Sequence, residues 1–128
     1  MENRFLFRGK RIDTGEWVQG YLYGIWERRY ILWGMTNDIP DMVEIDPSTI
    51  CQCTGRKDKN GNLIWENDIA NCMEEECCGY ISWNESEAGF YFDVLLEDGS
   101  FEEEHIYDYQ DCIEVIGNTF DNPDLLEV

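Results

Sequence analysis

The stretch that most constrains the fold is Thr54 to Ala70, which reads TGRKDKNGNLIWENDIA. It places two turn signals and two apolar runs within seventeen residues. Lys59-Asn60-Gly61 is a turn signal, because Asn and Gly tolerate the positive φ that tight hairpins need. Cys51-Gln52-Cys53-Thr54 precedes it, and Leu63-Ile64-Trp65, rich in strand formers, follows it. The pattern predicts a β-hairpin with Lys57 to Asn62 at its tip. Glu66-Asn67-Asp68 is a second polar turn, after which Ile69-Ala70 starts another strand. Asp58, Lys59 and Asp68 are read here as turn residues that hydrogen-bond locally, since Asp and Asn favour turns for that reason.

The rest of the chain follows the same rhythm. Asn3 to Ile12 alternates, with Phe5 and Phe7 on one face and Arg4, Leu6 and Arg8 on the other. After a turn at Asp13–Glu16, Trp17 to Trp26 is a long strand. Gly20 and Gly24 within it mark a bulge or the close approach of another backbone. Glu27–Arg29 is the turn into a strand over Tyr30–Trp33. Gly34 to Asp46 reads as a loop containing one short strand, Met42–Ile45, and Asp46 caps a helical turn that begins at Pro47. Beyond Asp68, strands are expected at Ile69–Cys72, Cys78–Trp83, Phe90–Leu96, Phe101–Glu104 and Ile113–Ile116. A helical turn over Tyr107–Cys112 precedes the last strand, and Asn118–Val128 is a polar tail whose Leu125-Leu126 docks on the body. The expected class is therefore mainly β. It consists of an aromatic-rich β-meander over residues 1–50 and a small SH3-like barrel over residues 51–128, with few or no long helices.

Chain length supports one domain or two small subdomains sharing a core. Five Trp, seven Tyr and six Phe supply enough aromatic surface to build it. Arg4, Arg8, Lys10 and Arg11 interrupt every apolar run that could serve as a secretory core, and no run is long enough to span a membrane. A cytoplasmic location and no membrane partner are expected. Six free thiols go with that reducing compartment. Zinc is the alternative for Cys51, Cys53, Cys72, Cys77, Cys78 and His105. However, only Cys72-x4-Cys77 comes near the usual knuckle spacing, and adjacent Cys77 and Cys78 would point to opposite faces of a strand.

Net charge is −19, and it is unevenly placed. Residues 1–34 hold six Lys/Arg against four acids, whereas after Lys59 there is no Lys or Arg and nineteen acids follow. A field of that sign repels nucleic-acid phosphates and anionic membranes, and it favours a basic partner or simple solubility.

Catalytic constellations are hard to find. His105 is the only histidine, follows Glu102-Glu103-Glu104, and has no accompanying nucleophile motif. Glu74-Glu75-Glu76 and Glu102-Glu103-Glu104 offer hard oxygen ligands for Ca²⁺ or Mg²⁺ but lack the spacing of a dedicated loop, so solvated acidic segments are the simpler reading. No catalytic residue and no cofactor is expected.

Three segments carry a family resemblance: FRGKRIDTGEWVQGYLYG (Phe7–Gly24), IDPSTICQCTGRKDKNGNLIWENDIA (Ile45–Ala70) and EVIGNTFDNPDLL (Glu114–Leu126). On these the chain resembles the YopX-like proteins, small proteins of phages and prophages. The resemblance implies a mainly-β fold with an SH3-type barrel and a phage or prophage origin, and it brings no chemistry with it. Two positions depart from the family. Asn67 stands where the family usually has Gly, and Asn is the side chain best suited to replace Gly at positive φ. The family also usually has Gly near Cys51, which makes the Cys51/Cys53 pair particular to this chain and weakens a family-wide metal role.

The leading functional expectation is a non-enzymatic interaction module that binds a protein partner, or itself, through its acidic half. The candidate residues are Arg56, Lys57 and Lys59 at the hairpin tip, where a basic tip could meet the acidic surface of another copy, and Glu74, Glu75, Glu76, Glu102, Glu103 and Glu104. One alternative is a nucleic-acid mimic whose spaced carboxylates occupy a basic DNA-binding site. Another is single-stranded nucleic-acid binding, with Trp17, Tyr21, Tyr23 and Trp26 as a stacking surface among the N-terminal cations.

Overall fold

The structure is a computed structural model that describes residues 3–109 and 111–127. Among the described residues eleven strands form two antiparallel sheets. The chain divides into two compact units, Met1–Cys53 and Thr54–Val128, so the division falls inside strand β5 (Cys51–Lys57) and not at residue 50.

The N-terminal unit is a meander of β1 (Phe7–Lys10), β2 (Trp17–Ile25), β3 (Arg28–Thr36) and β4 (Ile39–Ile45), and the first residues of β5 return to pair with β1. The meander extends further than the sequence suggests. Asn37 and Asp38, with φ of +52° and +65°, form a two-residue turn between paired Thr36 and Ile39. The supposed loop from Gly34 is thus hairpin, and Pro40 is tolerated because β4 is a sheet edge. The preceding turn is likewise shorter than expected: Ile25 pairs directly with Arg28, which leaves Trp26 and Glu27 as the whole connection. The end of β4 folds back onto the end of β1, where the amide of Asp46 donates to the Lys10 carbonyl at 2.8 Å and Arg11 bridges Ile45. Ile31, Ile45, Cys51 and Cys53 are fully buried. Gly20 lies where a Cβ would strike the Leu32 carbonyl, the close backbone approach anticipated for it. Asp46 caps the 3₁₀ turn Pro47–Thr49 by accepting from the Ser48 amide at 3.0 Å.

In the C-terminal unit β6 (Leu63–Trp65) is followed by β7 (Asp68–Cys72), β8 (Cys77–Asn84), β9 (Gly89–Leu95), β10 (Phe101–His105), a 3₁₀ turn (Ile106–Asp108) and β11 (Ile113–Asn118). The second sheet has the order β10-β9-β8-β7-β11. Four strands meander, a helical turn intervenes, and the last strand pairs with the first, which is the element sequence expected of the SH3-like region. The sheet does not close into a barrel, however, and β10 and β11 are its two edges. Ile64, Ala70, Ile81, Phe92, Ile106 and Ile113 form one core, with Tyr109 set edge-on to Phe92 at 5.1 Å. Each of the Ile and Phe side chains contributes about 1.5–3 kcal/mol through area removed from water, and the Ala70 methyl less. Gly79 sits where a Cβ would strike the Asp93 carbonyl, so β9 could not lie against β8 there with any other residue. Of the helical turn expected over Tyr107–Cys112, Gln110 lies outside the described residues, as does Val128 of the tail. Leu125 of that tail is exposed instead of docked.

The cysteines need a correction. Cys72 and Cys112 form a disulfide, with Cα atoms 5.1 Å apart, so the described thiols are not all free. The cause is register: Ile113 of β11 pairs with Cys72 of β7, which brings the residue before it alongside. Cys51, Cys53, Cys77 and Cys78 remain thiols. Among the described residues no helix is long and apolar enough to cross a membrane.

Candidate functional site

The candidate residues of the C-terminal unit fall into three places. The first is the hairpin tip. Asp58 is buried, and its Oδ1 accepts from the amides of Asn60 and Asn62, both at 2.9 Å, which shapes the turn. Its Oδ2 accepts from the amide of Val115 at 3.0 Å, and the Lys59 amide donates to the Ile113 carbonyl at 3.0 Å. Ile113 and Val115 present these groups from β11, an edge strand, so the tip covers part of an edge that would otherwise be open to pairing. Burial pushes the Asp58 carboxyl up, but the amides of Val115, Asn62 and Asn60 outweigh it and hold the group below the ordinary aspartate range. Asp58 is therefore a structural carboxylate. Lys59 pairs with Glu114 at 3.2 Å within the chain. Arg56, Lys57, Asp58, Lys59 and Asp111 line a shallow cavity of about 430 Å³.

The second place is acidic. Glu74, Glu75 and Glu76 occupy the exposed turn between β7 and β8. Glu102, Glu103 and Glu104 run along β10, the other edge of the sheet. Their alternation splits them: Glu103 sits beside Asp93 and accepts two hydrogen bonds from the Asn84 amide group at 3.0 Å, while Glu102 and Glu104 share the opposite face with Val94 and Phe92. Charged side chains along an edge strand discourage pairing with a stray strand.

The third place is an aromatic groove of about 240 Å³ lined by Phe90, Tyr91, His105, Ile106 and Tyr107, with Thr54, Arg56 and Gly89. His105 lies between two rings, with centroids 4.9 Å from Tyr91 and 5.0 Å from Tyr107. Burial, followed by the charges of Glu87 and Glu103, raises the Tyr91 hydroxyl above its ordinary range. Ring faces in a negative field suit a cation. In the sequence His105 stands out only as the single histidine, without a nucleophile motif beside it. The pairing of His105 with Tyr91 across β9 and β10 is what builds the groove, and no local motif announces it.

The six residues considered for zinc do not assemble. Cys72 is bonded to Cys112, and Cys77 and Cys78 alternate along β8, opposite Cys72 and Asn71 respectively. Burial and then Glu75 raise the Cys77 thiol, and burial raises that of Cys78. Cys51 and Cys53 are buried in the N-terminal unit. Among the described residues no group of three or more His, Cys, Asp or Glu is placed to hold a metal ion. Of the N-terminal aromatics, Trp17 lies under the cations of Arg8 and Lys10, at 4.7 and 5.3 Å, and Tyr21 is half-buried. Tyr23 and Trp26 are exposed.

Residues 6–127 match the family described as YopX protein. The chain belongs to the YopX family. That match covers nearly the whole chain, including both units. A comparison with curated proteins finds no match. Two of the segments that carry the YopX resemblance meet in the C-terminal unit, where the Thr119 amide donates to the Asn67 carbonyl at 2.9 Å. Asn67 itself has φ of +70°, the conformation its substitution for the usual YopX glycine requires. Asn118 closes the other side of this junction by accepting from the amides of Phe120 and Asp121 at 3.0 and 2.9 Å.

Proposed function

We propose that this YopX protein is a phage- or prophage-encoded accessory protein that works as a non-enzymatic interaction module, and that its Thr54–Val128 unit engages a basic protein partner. The observation that carries this reading is the charge of that unit: three Lys/Arg, all at the hairpin tip, against twenty Asp/Glu. Glu74, Glu75 and Glu76 lie in an exposed turn and Glu102, Glu103 and Glu104 along an edge strand, whereas Asp58 and Asp68 are buried. In this reading the carboxylates act through their summed field, which steers a cationic surface toward the unit. The aromatic groove beside β10 then receives a Lys or Arg side chain of that partner.

Affinity capture from a bacterial lysate tests it. The wild-type chain should retain a basic protein that elects to leave the column as salt rises, because the attraction is screened beyond about 10 Å at 0.1 M ionic strength. A chain carrying Glu→Gln at 74, 75, 76, 102, 103 and 104 should retain at least tenfold less. Equal retention by both chains, or recovery of no basic protein, defeats the proposal.

A further inference from the structure

The β2–β3 hairpin ends in a tip that the C-terminal charge does not explain. Trp26 is 92 % exposed and has φ of +53°, a conformation that bulky L residues rarely adopt and that Asn, Asp and Gly reach more easily. The backbone of the tip is braced: the Arg29 guanidinium donates to the carbonyls of Trp26 at 2.8 Å and Arg28 at 3.0 Å. Tyr23 and Ile25 are also exposed, and Tyr23 lies opposite Tyr30. Ile25, Trp26, Glu27, Arg28 and Tyr30 line a cavity of about 330 Å³, at the lower end of volumes that accept small ligands and roomy enough for an indole. An exposed Trp beside a cavity that joins apolar walls, Ile25 and Tyr30, to a charged rim, Glu27 and Arg28, has the make-up of an interface anchor.

We propose that this tip is a contact between two copies of the chain related by a two-fold axis, with Trp26 of each seated in the cavity beside Trp26 of the other. Two observations select a second copy over another occupant. First, the patch is self-complementary. Its anchor and its cavity are neighbours, and Glu27 and Arg28 are adjacent and opposite in sign, so a two-fold axis sets Glu27 of one copy against Arg28 of the other in both directions. Second, the charge is nearly balanced here. Residues 1–53 carry six Lys/Arg and eight Asp/Glu, whereas residues 54–128 carry three and twenty. A basic partner is drawn to the C-terminal unit, and two copies of that unit repel each other. The N-terminal tip is where like chains can meet.

Sedimentation equilibrium of the full chain, with free thiols blocked, tests the proposal at about 5 to 500 µM protein and in both low and 0.5 M salt. The weight-average mass should rise above the monomer's 15.1 kDa with concentration, and more so in high salt, because screening relieves the C-terminal repulsion. That salt dependence is opposite to the one expected for the basic partner, so either idea can fail alone. Trp26→Asn should weaken the dimer at least tenfold while leaving the melting temperature unchanged or higher, since Asn suits the positive φ better. Glu27→Arg alone should also weaken it, and Glu27→Arg with Arg28→Glu should restore it. A monomer under all conditions, a Trp26→Asn chain that dimerises like the wild type, or no rescue by the double reversal overturns the proposal.

Discussion

Among the described residues, nine apolar side chains are buried in the Thr54–Val128 unit and four in the Met1–Cys53 unit, whereas large apolar side chains left exposed number seven and ten, although the N-terminal unit is the shorter. Both units are antiparallel meanders, so backbone architecture does not make the difference. It lies in what occupies the outward positions. In the C-terminal sheet the face turned away from Phe92 sets Ser82, Asn84, Asp93 and Glu103 among Tyr80, Tyr91, Phe101 and His105, so polar and charged groups alternate with aromatic rings. In the N-terminal sheet the face opposite Ile31 carries Tyr21, Tyr23, Ile25, Tyr30, Leu32 and Met42. One unit shows solvent a charge and the other shows it apolar area. They are suited to different kinds of recognition, the first long-ranged and sensitive to salt, the second short-ranged and dependent on shape.

The largest expected effect tests which unit holds the main core. Phe92 is fully buried among Ile64, Ile81, Ile106 and Ile113, and it also loses its edge-on contact with Tyr109 when truncated. Phe92→Ala should lower unfolding free energy by about 3–5 kcal/mol in urea denaturation. Ile31→Ala truncates a fully buried side chain of the N-terminal unit and should cost less, about 2–3 kcal/mol, since the described residues of that unit bury four apolar side chains against nine. The reverse order would break the comparison.

The disulfide belongs to the C-terminal unit alone and should widen the gap. Bond formation between Cys72 and Cys112 closes a span of 40 residues. Replacing both by Ser should cost about 2–4 kcal/mol, mainly through freedom returned to the unfolded chain. Alkylation of the oxidised, denatured chain should modify four cysteines before reduction and six after it. Six before reduction would show that the bond does not form.

These two units were not equally legible. Strand positions in the C-terminal unit follow from turn residues and alternation, which are local properties, and the Asp46–Pro47 cap and the Lys57–Asn62 tip are local in the same way. Gly34–Asp46 was misread because Pro40 and Asp41 look like loop residues, and only the edge position of β4 makes them tolerable within a strand. The disulfide was hidden because Cys112 reaches Cys72 only through pairing of β11 with β7. Trp26 was hidden for a different reason. Alternation assigns a side chain to a face, but it does not say whether another part of the molecule covers that face.

Asp58 links the tip to β11 and gives the next effect. Asn in its place keeps one acceptor oxygen and turns an amide group toward one of the three backbone donors, so Asp58→Asn should cost about 1–3 kcal/mol at neutral pH. The folded-state pKa lies below the unfolded one, so this contribution is present above about pH 3.9 and is lost as pH falls from there through the folded value. Many other acids titrate in that range. The quantity to follow is therefore the stability difference between the two proteins, which should shrink on acidification. A difference independent of pH would mean that the carboxylate is not the stabilising form.

The smallest effect concerns the junction at Asn67. Its φ of +70° is easy for Gly, tolerable for Asn and strained for Ala. Its amide donates to Ile81 and its carbonyl accepts from Thr119, so the backbone there cannot relax without losing both bonds. Asn67→Ala should therefore cost about 1 kcal/mol. Asn67→Gly, which restores the usual YopX residue, should lie within about 0.5 kcal/mol of the parent, the relief of strain being offset by the greater freedom of Gly in the unfolded chain. If Ala and Gly were equivalent, the turn would not depend on its left-handed residue, and the meeting of the two YopX segments would rest on side-chain contacts instead of backbone conformation.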